Sequence, residues 1–274
     1  MINWAELFPD EDYRFHMGLR RGAPGEYFRA GAERAEACAE RQRWLRQSPS
    51  TYSALLPAGE PLLAEAIKLA REWNNLSSEQ MEQLAGAPNA HDRCVQLGGM
   101  WEPDFLLLQA DAAGEFQLVG GCVCFPSSWS LAEKIGHPMA SIHGPVPGLN
   151  ASLGRSIDTF LVRLTPGSAW LRQNWGLSRS RERNQHPARL LPRLDATVDL
   201  SELWLRVEEQ ALVALPQSRG VLFAIRIRTE PLAAVRAEQD TASRLARALR
   251  SMSPEVAAYK GLAAARERII QLLS

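Results

Sequence analysis

An α+β fold built on an antiparallel sheet is predicted by three features of this 274-residue chain. Apolar runs of strand length follow one another at hairpin spacing, amphipathic helical stretches occupy both ends, and one helical stretch crosses between the strands. The regular strand–helix alternation of a doubly wound sheet is absent. So is a glycine-rich phosphate loop, which argues against nucleotide binding. The length suits one domain over 1–274, with a helical N-terminal extension (1–93), a sheet core (94–229) and C-terminal helices (230–274).

The elements follow in order. Residues 1–26 read as loop, punctuated by Pro9, Gly18, Gly22, Pro24 and Gly25. Helices are expected over Glu26–Arg46, over Glu60–Trp73 with its stripe Leu62, Leu63, Ile67, Leu69 and Ala70, and from a Ser77/Gln80 capping box to Ala85. Phe105–Leu108 and Phe116–Phe125 read as strands joined by the turn Asp111–Gly114. Asn150 is placed to cap a helix to Leu164, and Ser168–Ser178 reads as a third strand. The basic stretch 179–189 has the charge density to bind an anion, but reads rather as an exposed mobile loop. Asp199 or Ser201 is expected to cap a helix through ELWLRVEEQALVAL, closed by Pro216. Gly220–Thr229 is a fourth strand with Arg226 and Arg228 on one face, where water at a sheet edge and a carboxylate partner are equally open readings. Two helices, Pro231–Ser251 and Pro254–Leu272, close the chain, the second capped by Ser253 with Pro254 at its first position.

Composition narrows the function. Lys plus Arg and Asp plus Glu are 31 each, so no net field favours nucleic acid or an anionic membrane. The spacing of Cys38, Cys94, Cys122 and Cys124 fits neither a zinc site nor an iron–sulfur cluster, and Cys122 and Cys124 read as buried small residues. The N-terminus lacks a basic region leading into an apolar core, and no apolar run approaches 18 residues. A cytoplasmic protein with reduced thiols is expected. No nucleophile elbow, helical zinc pair or thiol activated by a basic neighbour is present. What remains is the segment Gly120–Asn150, a strand stopped by Pro126 and followed by a stiff loop bearing His137 and His143. Each histidine is a candidate metal ligand or a brace for the loop.

The run Cys124–Gly148 resembles the signature of a bacterial family first described only as a domain of unknown function. That family has since been linked to heme-dependent oxidative N-demethylation, in its catalytic α subunit. The matching residues are Phe125-Pro126-Ser127, Trp129, Leu131, Glu133-Lys134, Gly136, Pro138, Ile142-His143 and Pro145-Val146-Pro147. Further blocks match at Arg172, Asn174 and Trp175, at Arg206, Glu208 and Gln210, at Leu215-Pro216, Phe223, Ile225 and Arg226, and at Tyr259-Lys260-Gly261. Tyr13–Leu19 is similar more weakly. The resemblance implies a PAS-like antiparallel sheet whose helical extensions enclose a pocket for heme b. It implies His143 as the axial ligand, with His137 the alternative, and Arg172, Trp175 and Arg226 as cofactor-binding residues. Glu208 is then the catalytic carboxylate that orients a small secondary amine of the dimethylamine type. The implied activity is that of a monooxygenase: O2 and electrons from a separate NAD(P)H-dependent reductase, with flavin and an iron–sulfur cluster, convert an N-methyl group to formaldehyde. A non-catalytic heme-binding sensor or gas-binding protein is the competing expectation. Assembly into an oligomer is compatible with either.

Overall fold

The computed structural model describes residues 2–274. It is a mixed α and β structure around one seven-stranded antiparallel sheet. The strands are β1 (Arg20–Gly22), β2 (Ser53–Leu55), β3 (Asp104–Ala110), β4 (Phe116–Cys122), β5 (Ala169–Ser178), β6 (Trp204–Ala214) and β7 (Val221–Pro231), in the spatial order β1-β5-β6-β7-β3-β4-β2. The helices are α1 (Trp4–Leu7), α2 (Pro24–Tyr27), α3 (Arg34–Gln47), α4 (Pro49–Tyr52), α5 (Glu60–Glu72), α6 (Ser78–Ala85), α7 (Ala90–Met100), α8 (Met139–His143), α9 (Leu149–Val162), α10 (Leu232–Ala237), α11 (Gln239–Ser251), α12 (Pro254–Tyr259) and α13 (Arg266–Leu273). Among the described residues no helix is long and apolar enough to cross a membrane.

Several local signals act as their chemistry requires. Ser77 and Gln80 form a reciprocal capping box at α6, and the Ser253 hydroxyl caps α12 ahead of Pro254. In the β3–β4 turn, Asp111 Oδ1 accepts from the amides of Ala113 and Glu115, while Gly114 takes φ 84°. Cys122 and Cys124 are buried free thiols, their sulfurs 3.9 Å apart.

The largest departure is the expected helix after Asp199. A single 3-10 turn (Leu200–Glu202) carries the capping box, and the chain then enters β6, which pairs along its length with β5 and β7. Apolar side chains serve both faces of this central strand, so simple alternation is blurred and helical spacing appears by chance. Three other boundaries shift. The helix expected over 26–46 breaks into α2 and α3, and its broken backbone is bonded by Asn75 Nδ2 to the Phe28 carbonyl and by Glu102 to the Gly31 amide. Helix α9 starts from Gly148 at φ 76°, while Asn150 lies inside it and donates to the Ala140 carbonyl, 2.8 Å. The C-terminal pair becomes four helices, with Gly261 at φ 70° between α12 and α13. The loop 179–189 is anchored: Arg183 bonds Glu33, Glu36 and Glu40 of the α3 region, and Arg179 bonds Asp195 and Glu202. The short edge strands β1 and β2 and helix α7 have no counterpart in the expectations above.

Two apolar clusters support the sheet. The larger gathers α5, α7, β3, β4 and parts of β6 and β7; the second packs the C-terminal helices on Trp175, Leu177, Leu205 and Val207. At the end of β3 the fully buried Asp104 pairs with the fully buried Arg41 of α3 and accepts the Cys124 and Phe125 amides. This anchor directs the chain from β4 into the loop that bears Ser127. Arg41→Met should cost about 3–5 kcal/mol, since it strands a buried carboxylate. Adding Asp104→Leu should restore only part of that, because the Cys124 and Phe125 amides then lose their acceptor; denaturant midpoints of the single and double variants measure both effects.

Candidate active site

Register decides which of the expected site residues meet. Arg172 stands opposite Gln210 and Asn174 opposite Glu208, so these four share one sheet face with Trp170 and Arg206. Phe160 of α9 meets Trp170 edge-on at 5.6 Å, and Ser127 reaches Glu208. Helix α9 and the 125–127 segment therefore cover that face. Arg226 stands opposite Glu209, on the other face, where Glu102 at 3.2 Å and Glu209 at 3.7 Å meet its guanidinium. Trp175 alternates to that second face as well and joins the C-terminal helical cluster. Of the two open readings for the β7 arginines, the carboxylate partner is the observed one: Arg228 also meets Glu209, at 3.1 Å.

Glu208 is the centre of the first face. One carboxylate oxygen accepts from the Ser127 hydroxyl; the other accepts from Gln210 Nε2 at 2.8 Å and Asn174 Nδ2 at 3.2 Å. Burial works to raise its pKa, but the Ser127 bond, the Arg206 charge, the Asn174 bond and the Lys260 charge together hold it below the ordinary glutamate value. Glu208 is thus an anion inside the fold. Arg206 supports it indirectly, bonding Ser127 Oγ at 2.8 Å and the Phe125 carbonyl, and burial lowers Arg206 to about 10.

His143 ends α8 and is half-buried. Burial, then the charges of Lys134 and Arg172, push its pKa below the ordinary histidine value, so the ring is neutral at pH 7. A neutral imidazole is the form that ligates metal. His137 is exposed, and its backbone braces the loop, donating to Lys134 O and accepting from Leu118 N at 3.1 Å each. The two histidines that the sequence leaves as alternatives thus differ in exposure.

Arg172 links the walls, since its charge acts on both His143 and Glu208. Its Nε is buried without a hydrogen-bond partner, and among the described residues it forms no ion pair. Lys260 follows α12, its ammonium donating to the Trp175 carbonyl at 2.8 Å and lying 5.0 Å from the Trp175 ring centroid, and the charges of Glu208 and Arg172 act on it. Burial pushes Lys260 down to about 8, against the pull of Glu208. Sequence reasoning assigned no chemistry to Lys260, Ser127, Asn174 or Gln210; their signal was membership in the matching blocks.

The residues fit a heme. Heme needs one axial side chain, an apolar wall and cations for its propionates. His143 is the residue that would supply the first. The α9 side chains Leu153, Ile157, Phe160 and Leu164 are only half-buried, in contrast to the sealed stripe of α11, where Leu245 and Leu249 are fully buried. The unpartnered Arg172 Nε is a ready donor. Two surface grooves are present, one lined by Glu36, Arg43 and Arg183, the other by Arg21, Arg155 and Arg163 together with Phe160 and Trp170, so that the second borders this face.

The described residues of this α+β protein thus carry a hydrogen-bonded glutamate on the sheet, a half-buried histidine ending α8 and two cations, Arg172 and Lys260, without an ion pair. The family described as "Haem-dependent oxidative N-demethylase, alpha subunit-like" matches residues 26–270, and the chain belongs to it. That description carries heme dependence and an oxidative N-demethylase type of activity.

Lys260 yields a pH signature. Its folded-state value near 8 lies below the ordinary lysine value of about 10.4, so between these the unfolded chain binds more protons and stability rises with pH. The difference in unfolding free energy between the native chain and Lys260→Met should therefore shift in favour of the native chain from about pH 8 to about pH 10, measured by denaturant titration. A flat difference would contradict the burial assigned to the ammonium.

Proposed function

We propose that the chain is the heme-binding catalytic subunit of an oxidative N-demethylase acting on a small secondary amine. In this reading the whole chain is one PAS-like domain, the five-strand core β4-β3-β7-β6-β5 with α8 and α9 over one face, and it holds heme b through His143. The observation that carries the reading is the placement of Glu208, held on the sheet face by Ser127, Asn174 and Gln210, together with a half-buried His143 ending α8, the charge of Arg172 acting on both.

Each residue has a definite task. His143 keeps its ring neutral and offers a nitrogen lone pair to iron. A carboxylate has about four acceptor sites, and Ser127, Asn174 and Gln210 occupy three on Glu208. One site is left for the N–H of a cationic amine, and the three donors hold the carboxylate in place to aim the methyl group. When bound, heme supplies the reductive activation of dioxygen. Overall, R–NH–CH3, O2, two electrons and two protons give R–NH2, formaldehyde and water. The electrons come from a separate NAD(P)H-dependent reductase with flavin and an iron–sulfur cluster, since this sequence carries no motif for either, and a cytoplasmic setting suits that supply.

The test is spectroscopic and chemical. Protein from heme-supplemented cells should show a Soret band that His143→Ala abolishes and His137→Ala retains. Glu208→Gln should retain the band and lower formaldehyde release from methylated amines about 100-fold in kcat/KM, as loss of aim predicts. Glu209→Gln, on the other face, should lower stability and leave the amine response intact. Heme without formaldehyde from any small methylated amine would favour the sensor or gas-binding reading.

A further inference from the structure

Charges near Glu208 do not balance. Arg206 and Glu208 form one pair, bridged by Ser127. That leaves Arg172 and Lys260 as two cations with no acid of their own among the described residues: Arg172 forms no ion pair, and the single hydrogen-bond partner of Lys260 Nζ is the Trp175 carbonyl. Three other arginines packed against the sheet or α3 are matched, Arg41 by Asp104, Arg226 by Glu102 and Glu209, Arg183 by three glutamates. Arg172 and Lys260 are half-buried; partly desolvated cations without counter-charge are costly, and a guanidinium fork suits a carboxylate.

We infer that Arg172 and Lys260 form a carboxylate-binding subsite beside Glu208, and that the methylated amine taken there is an N-methyl amino acid. This rests on Glu208 as the amine acceptor. Register makes Arg172 and Glu208 diagonal neighbours on adjacent strands, since Arg172 faces Gln210 and Asn174 faces Glu208. Such neighbours stand roughly 7–8 Å apart, a span that one small zwitterion bridges with its ammonium on Glu208 and its carboxylate on Arg172. Two of the three Lys260 N–H donors remain free to share that carboxylate. A simple dialkylammonium ion satisfies Glu208 alone and itself offers neither cation a counter-charge.

The heme-loaded full chain is titrated with N-methylglycine and with dimethylamine, followed by calorimetry and by the visible spectrum. N-methylglycine should bind at least about tenfold tighter, as a charge-assisted pair in an enclosed site predicts. In Arg172→Gln and in Lys260→Met that ratio should fall toward one. Equal affinities in the native protein overturn the inference, as does a ratio that survives in both variants. Loss of heme from Arg172→Gln with the ratio intact also overturns it, because the carboxylate served is then a heme propionate. Formaldehyde from dimethylamine with no response to N-methylglycine defeats this inference and leaves the demethylase reading standing. Binding of neither amine defeats both.

Discussion

Strand β6 sends two adjacent acids to opposite faces of the sheet, and most of the site depends on that alternation. Glu208 turns toward α9 and the 125–127 segment; Glu209 turns to the face where Arg226, Arg228 and Glu102 lie. A slip of one residue in register would exchange them, placing the Ser127-bound carboxylate in the arginine network and the reverse. Full-length pairing on both sides prevents that slip. It also explains why two arginines in one strand pattern reach a carboxylate that sequence spacing alone could not assign to them.

Neutral donors, with charges set further back, keep Glu208 ionised. Ser127, Asn174 and Gln210 touch the carboxylate, while Arg206 acts through Ser127. A direct Arg–Glu fork would consume the acceptor positions; this arrangement leaves one open. Its precision rests on the buried Asp104–Arg41 pair, because Asp104 also holds the Cys124 and Phe125 amides and so sets the path that brings Ser127 to the site. Stability and chemistry meet in one short stretch of chain.

Much of this was legible in the sequence, for reasons that differ by residue. Caps at Ser77 and Ser253 and the Asp111–Gly114 turn are local interactions, complete within a few residues, and pattern alone finds them. The antiparallel α+β class followed from hairpin spacing. The ordered motif blocks brought His143, Asn174, Glu208 and Lys260 into view without saying which would touch. Strand β6 was misread because a strand buried on both faces loses its period of two. Asn150 was misplaced as a cap because Gly148, at positive φ, starts the helix earlier.

By itself, then, the sequence determined the class of fold, the family to which the chain belongs and the short-range signals that begin and end its elements. Only the tertiary structure decided that His143 is half-buried while His137 is exposed, that Arg226 and Trp175 serve the face away from Glu208, and that Arg172 and Lys260 stand without an acid among the described residues. The physical reason is range. Caps and turns are settled within a few residues, whereas the face a side chain occupies, and the charge it meets there, depend on strands and helices far apart along the chain.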